Sequence, residues 1–312
     1  MKNLIFIILS ATFLYSCDNL ETVVDLDIPK HDPVLVVNSK LKADSKIKIF
    51  VSHSLGAFVT NSPSSIDDAT VLLYEDNQFL DTLYADFSEP EYFNYSKNRR
   101  QDSVLVHFYK SDILTQTKQT YRLEVSHPLY PSVSASTTVP SGVEIEFLPT
   151  NNPLTIKFNF DDDPSQKNFY ELKLMARFTQ EYDGELINYN QRLEFASNDL
   201  SFPADFPFDG FTFYGSKVLF EDALFNGTKK EISIQIVDYE TSVEKIDSVY
   251  LQFTELSSEA YSYQNSRNDQ LDGGVAGIFG GEVIPVFSNV ENGLGVFISV
   301  NTQKIILENL SE

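Results

Sequence analysis

The sequence is poor in the groups that most often carry chemistry. A single cysteine, Cys17, stands in 312 residues, so no intramolecular disulfide can form. The four histidines, His31, His53, His107 and His127, are widely spaced and make no H-E-x-x-H or H-x-x-x-H arrangement. No G-x-S-x-G elbow, P-loop or strand-linked G-x-G-x-x-G is present, so neither a metal nor a cofactor is expected. Cations are scarce too: 23 Lys and Arg against 45 Asp and Glu give a formal net charge of −22. A chain this acidic repels phosphate backbones and has no basic face for an anionic lipid surface, which excludes nucleic acid. No apolar run reaches the ~20 residues of a membrane-spanning helix.

What is present starts beside the cysteine. Lys2 precedes the apolar run Leu4 to Leu9, then Ser10, Ala11 and Thr12, then Leu14-Tyr15-Ser16-Cys17. That is the layout of a secretory signal, but it lacks an A-x-A-like cleavage site. Leu14-Tyr15-Ser16-Cys17 resembles a bacterial lipobox, whose cysteine is acylated and becomes the first mature residue. A plain signal with an incidental thiol is the weaker reading. Each buried methylene contributes about 0.8 kcal/mol, so several acyl chains anchor stably where one does not. Residues 1–16 are therefore read as signal peptide, and 17–31 as an acidic tether carrying acylated Cys17.

Beyond the tether the pattern is strand-like, and 25 Phe and 16 Tyr supply apolar surface for a sizeable core. "SKIKIFVSHS" alternates, with Ile47, Ile49 and Val51 on one face. "ATVLLYED" and "FLDTLYAD" flank Asn77 as a hairpin, and Asp183-Gly184 marks another. The expected class is mostly β, with an immunoglobulin-like antiparallel β-sandwich over 32–140 and a second β-rich domain over 141–312. One short helix is expected from Ser257 to Gln270, capped by Ser257 or Ser258 and stopped by Gly273-Gly274.

Candidate sites are few. Asp161, Asp162 and Asp163 read as a solvated acidic turn rather than a calcium loop, because Pro164 and the missing glycine break the EF-hand spacing. Two aromatic loops are candidate partner surfaces. One, Asp86 to Asp102, carries Arg99 and Arg100. The other, Asn198 to Ser216, carries Phe202, Phe206, Phe208, Phe211, Phe213 and Tyr214. Its rings either face a partner or plug the end of the sandwich, and both readings stand at this point.

Several segments together resemble a known family: "PVLVVNSKL", "DDATVLLYED", "YRLEVSHPLYPSVSASTTVP", the late "EAYSYQNS" and "FSNVENGLGVF". The chain is similar over nearly all its mature length to Bacteroidota outer-membrane lipoproteins sharing a domain of unknown function, number four-two-four-nine. "SASTTVP" (Ser134 to Pro140) and "SNVENGLGVF" (Ser288 to Phe297) are the most distinctive pieces. The resemblance implies a location at the outer membrane and a SusC-like TonB-dependent barrel as partner. Asp18 and Glu21, just after the acylated cysteine, are the surface-export signal it implies, so the protein is expected to face the cell exterior. The leading expectation is a non-enzymatic accessory lipoprotein that docks on such a transporter. A structural part of an outer-membrane assembly or secretion complex, and a surface hydrolase, are the alternatives.

Overall fold

A computed structural model describes residues 31–56, 62, 64–97, 100–182, 184–204, 210–237, 245–276 and 285–307. Cys17, Asp18, Glu21, Arg99, Phe206 and Phe208 lie outside the described residues. Pro33–Glu312 form one compact unit.

The chain up to Pro140 supplies β1 (Leu35–Lys42), β2 (Lys46–His53), β3 (Thr70–Glu75), β4 (Gln78–Ala85), β5 (Glu91–Lys97), β6 (Arg100–Val106), β7 (Tyr109–Leu114), β8 (Thr120–His127) and β9 (Tyr130–Thr138). After it come β10 (Glu146–Leu148), β11 (Thr155–Asp161), β12 (Phe169–Tyr182), β13 (Glu185–Leu193), β14 (Phe195–Ser197) and β15 (Phe213–Gly215). The last elements are β16 (Lys217–Glu221), β17 (Lys229–Ile236), β18 (Lys245–Leu256), helix α1 (Ser258–Ala276) and β19 (Leu294–Ile306). The mostly β class is as expected.

Local chemistry explains the hairpins. Glu75 pairs with Gln78 across Asp76 and Asn77, both with positive φ (46° and 65°), the two-residue turn that suits strand twist. Tyr182 pairs with Glu185, and Gly184 has φ +82°. In β2 the expected face is buried, with Ile47, Ile49 and Val51 all at most 1% exposed.

Twelve strands form one sheet, in the order β13-β12-β18-β19-β1-β2-β7-β4-β3-β8-β9, with β16 also pairing β12. A five-stranded sheet, β10-β11-β17-β14-β15, and the β5–β6 hairpin complete the pairing. Pro140 thus falls between the stretches that build most of the two larger hydrophobic cores, but it does not divide the main sheet. One core gathers Leu35, Val37, Ile49, Leu73, Leu123 and Val133; the other gathers Phe158, Phe160, Tyr170, Phe195, Phe220 and Phe253. The C-terminal strand β19 joins them, pairing antiparallel with β18 and parallel with β1, and its Phe297 belongs to the first core.

The two distinctive segments meet at this joint. Ser134 and Glu291 exchange backbone hydrogen bonds (3.4 and 2.8 Å), and Ser134 Oγ donates to Glu291 Oε2 at 3.1 Å. Asn289 Nδ2 donates to the carbonyls of Ser136 (3.1 Å) and Phe297 (2.8 Å), while its Oδ1 accepts from Phe297 N. The pair that carries the resemblance is therefore a clasp, holding β9 against the β1–β19 strands.

Three expectations change. Ser257 does cap α1, its Oγ accepting from Ala260 N at 3.2 Å, but the helix runs past Gly273-Gly274 to Ala276. Glycine costs a helix only about 1 kcal/mol, which does not by itself end one. The Asp86–Asp102 segment, expected as a loop, contains β5 and the first three residues of β6. Asp162, expected in a solvated turn, is 6% exposed.

Candidate functional site: a polar cleft at the head of the helix

Four strand ends of the C-terminal core share one feature. Along β11, Ile156, Phe158 and Phe160 face inward, and the next position of that parity is Asp162. In β16 and the turn after it the series is Val218, Phe220, then Asp222; along β18 it is Val249, Leu251, Phe253, then Glu255. Asn168 stands one step before Tyr170 and Leu172 of β12. Alternation carries all four polar side chains toward the core, and all are at most 6% exposed. Together they form a polar layer over the aromatic interior.

Burial of polar groups demands partners, and most are supplied. Tyr170 Oη donates to Asp162 Oδ1 at 2.5 Å, and Gly227 N donates to Asp162 Oδ2 at 2.8 Å. Asn168 N donates to Asp222 Oδ2 at 2.7 Å, and Gly142 N to Glu255 Oε2 at 2.7 Å. Burial raises the proton affinity of Glu255 to a pKa of about 7, with the charges of Asp162 and Asp163 adding to it. Burial likewise raises Asp222, and it holds the Tyr170 phenol far above its usual range, followed by the bond to Asp162. Asp163 moves the other way, lowered by hydrogen bonds from Ser165.

Glu255 opens onto a cleft of about 380 Å³. Its walls are the Thr138–Ser141 linker after β9, Lys118 in the β7–β8 turn, the Asp163–Asn168 turn, and Ser257–Glu259 at the start of α1. Lys118 holds a positive φ of 65° and donates its backbone N–H to Val139 at 2.7 Å, which ties its turn to the linker. A buried acid that exchanges its proton near neutrality, set in a cleft with both donors and acceptors, suits binding of a small polar molecule.

The expected partner residues divide. Phe202 and Phe213 are 5% and 3% exposed and belong to the core, where Phe202 meets Phe213 and Phe220 at ring separations of 5.5 and 5.1 Å. Rings this buried cannot meet a partner, so those two are withdrawn as interface residues. Phe211 is half-buried, and Tyr214 donates its hydroxyl to Glu194. Arg100 opens β6. The exposed rings lie elsewhere. In the β5–β6 hairpin Phe93 stacks on Phe50 at 5.1 Å, so the opposite face, where Tyr92 pairs with Leu105, is turned outward and both are exposed.

Sequence reasoning missed Glu255, Asp222 and Lys118. For the two acids a signal existed: an acidic residue at the next inward position of an alternating strand. The family described as Domain of unknown function (DUF4249) matches residues 21–306. No curated protein matches the chain.

Proposed function

The chain belongs to the family described as Domain of unknown function (DUF4249), and from that premise we propose that it is a lipid-anchored accessory protein of the outer membrane. It docks from the cell exterior on a SusC-like TonB-dependent transporter and assists capture or import of a substrate. The observation that carries this reading is Leu14-Tyr15-Ser16-Cys17 behind a short apolar run, followed by one large β-rich unit. Asp18 and Glu21 support an outward orientation. Within the unit, we take the strands from Leu35 to Thr138 as the immunoglobulin-like sandwich, closed by β19. The outward face of the β5–β6 hairpin, where Tyr92 and Leu105 pair and are both exposed, is the docking surface we favour, since exposed aromatics are enriched at interfaces.

Cys17→Ala is expected to move the protein from the membrane fraction to the soluble periplasmic fraction on cell fractionation. Unchanged membrane association would remove the lipid anchor. The docking half is tested by co-purification from detergent-solubilised outer membranes. A TonB-dependent barrel is the expected companion, whereas assembly or secretion machinery would favour a scaffold role instead.

A second reading, a surface hydrolase, draws on one observation. Glu255 and Asp163 line the same cleft with proton affinities pushed apart, as an acid and a base require. It calls for turnover of nitrophenyl glycosides or esters by the purified protein, lost in both Glu255→Gln and Asp163→Asn. Absence of turnover across such a panel ends it.

A further inference from the structure

Glu255 combines three properties that a purely structural acid does not need. It is 3% exposed, it borders an open cleft, and only one of its oxygens is used. Oε2 accepts from Gly142 N at 2.7 Å, while Oε1 has no hydrogen-bond partner among the described residues. It is not one of the fully buried unpartnered oxygens, so it is reached from the cleft and is open to a donor from whatever enters there.

The charges around it decide what that something is. Asp162 and Asp163 face Glu255 from the turn after β11, with Asp222 and the Tyr170 phenol behind them and Glu259 on the first turn of α1. Against these stand Lys118, which makes no ion pair among the described residues, and Lys167, which is held by Glu221 at 2.7 Å. The field in the cleft is therefore negative, and an anion would meet several carboxylates at once. A neutral sugar would find no aromatic ring in the cleft wall to stack on. A positive head group suits both the field and the free oxygen, and hydroxyls of Ser141 and Ser165 can accept its remaining protons.

We infer that this cleft binds a small organic cation, a primary ammonium or guanidinium, with the Glu255 carboxylate as its counter-ion. The inference concerns the β-rich unit itself and stands whether or not the docking reading holds.

Binding must then be linked to proton release. A cation pairs with ionised Glu255, so the fraction of protein already ionised sets the observed affinity. With a pKa of about 7 in the free protein, affinity rises about tenfold from pH 6 to pH 8. Titration calorimetry of the purified protein with 1,4-diaminobutane, in buffers of different ionisation heat, reads both quantities. Acetyl-lysine amide in a parallel titration shows whether the ammonium can come from a peptide side chain, and binding of either ligand supports the inference. Glu255→Gln is expected to weaken binding at least about tenfold at pH 8 and to flatten its pH dependence. Lys118→Asn, which keeps a residue tolerant of positive φ in the turn, is expected to tighten binding severalfold. The inference is overturned if neither amine binds, if acetate or glucose binds as well as the amines, or if Glu255→Gln keeps the parent's affinity and pH profile. Amine binding by a protein that brings down no barrel would sink the docking reading alone.

Discussion

Gly295→Ala is expected to cost at least about 4 kcal/mol of stability, enough to leave little folded protein. The residue sits where β19 enters its parallel pairing with β1, opposite Val37. A Cβ there would lie 2.0 Å from the Val37 carbonyl oxygen and 2.9 Å from its nitrogen, and φ is +109°. Two penalties add. An L-residue at that φ is strained by about 1–3 kcal/mol. The clash falls on backbone, which cannot swing aside as a side chain would, so relief requires parting the two strands. Parting them also loosens Phe297 in the N-terminal core and the Asn289 clasp. Gly184→Ala is the control: φ is +82°, but nothing lies within 4 Å of the added carbon. It should lose only the strain, about 1 kcal/mol. Urea denaturation of the two variants separates the effects. Equal losses would mean that the close approach of β1 and β19 does not matter.

The same glycine shows how much of the fold was legible in the sequence. "SNVENGLGVF" could be singled out as distinctive, and Asn292-Gly293 could be read as a turn, because turn chemistry is local. What Gly295 does was not legible, since its constraint comes from Val37, some 258 residues earlier in the chain by the β1–β19 register. Alternation identified the inner face of β2 and the paired hairpins for the same local reason. It did not reveal that the last strand would insert beside the first, which carries one sheet across the boundary expected at Pro140. Aromatic content was misleading between 198 and 216. Phe202 and Phe213 look loop-borne in the sequence, yet Ser201–Phe202 and β15 fold back over Phe195 and Phe220 of the core. At the cleft the difficulty was different. Asp162, Asp222 and Glu255 each end an alternating apolar series, but only the fold shows that the three ends lie together, and only then do their mutual charges matter.

Glu255→Gln is expected to raise stability at pH 8 while changing it little at pH 5, and the difference measures what the buried charge costs. In the folded protein the carboxyl keeps its proton up to a pKa of about 7, against 4.5 for the free side chain. Between those values the folded state binds the proton and the unfolded state has released it. Stability supplied by this group is therefore complete below about pH 4.5, falls as pH rises toward 7, and levels off above. Across the whole window the loss is about 3 kcal/mol, since one pKa unit corresponds to about 1.4 kcal/mol. Glutamine keeps an oxygen for the Gly142 N–H but cannot ionise, so the variant avoids the decline. Other acids work in the opposite sense: Asp163 and Glu124 have lowered proton affinities, through hydrogen bonds from Ser165 and Arg122, and lose stability on acidification. Comparing variant with parent at each pH cancels those contributions. Thermal or urea unfolding at pH 5, 6, 7 and 8 should give a variant-minus-parent difference that grows to a plateau above pH 7. A difference independent of pH would show that Glu255 is ionised throughout, with its charge already compensated inside the protein. The proton-linked cleft would then lose its physical basis along with the stability gain.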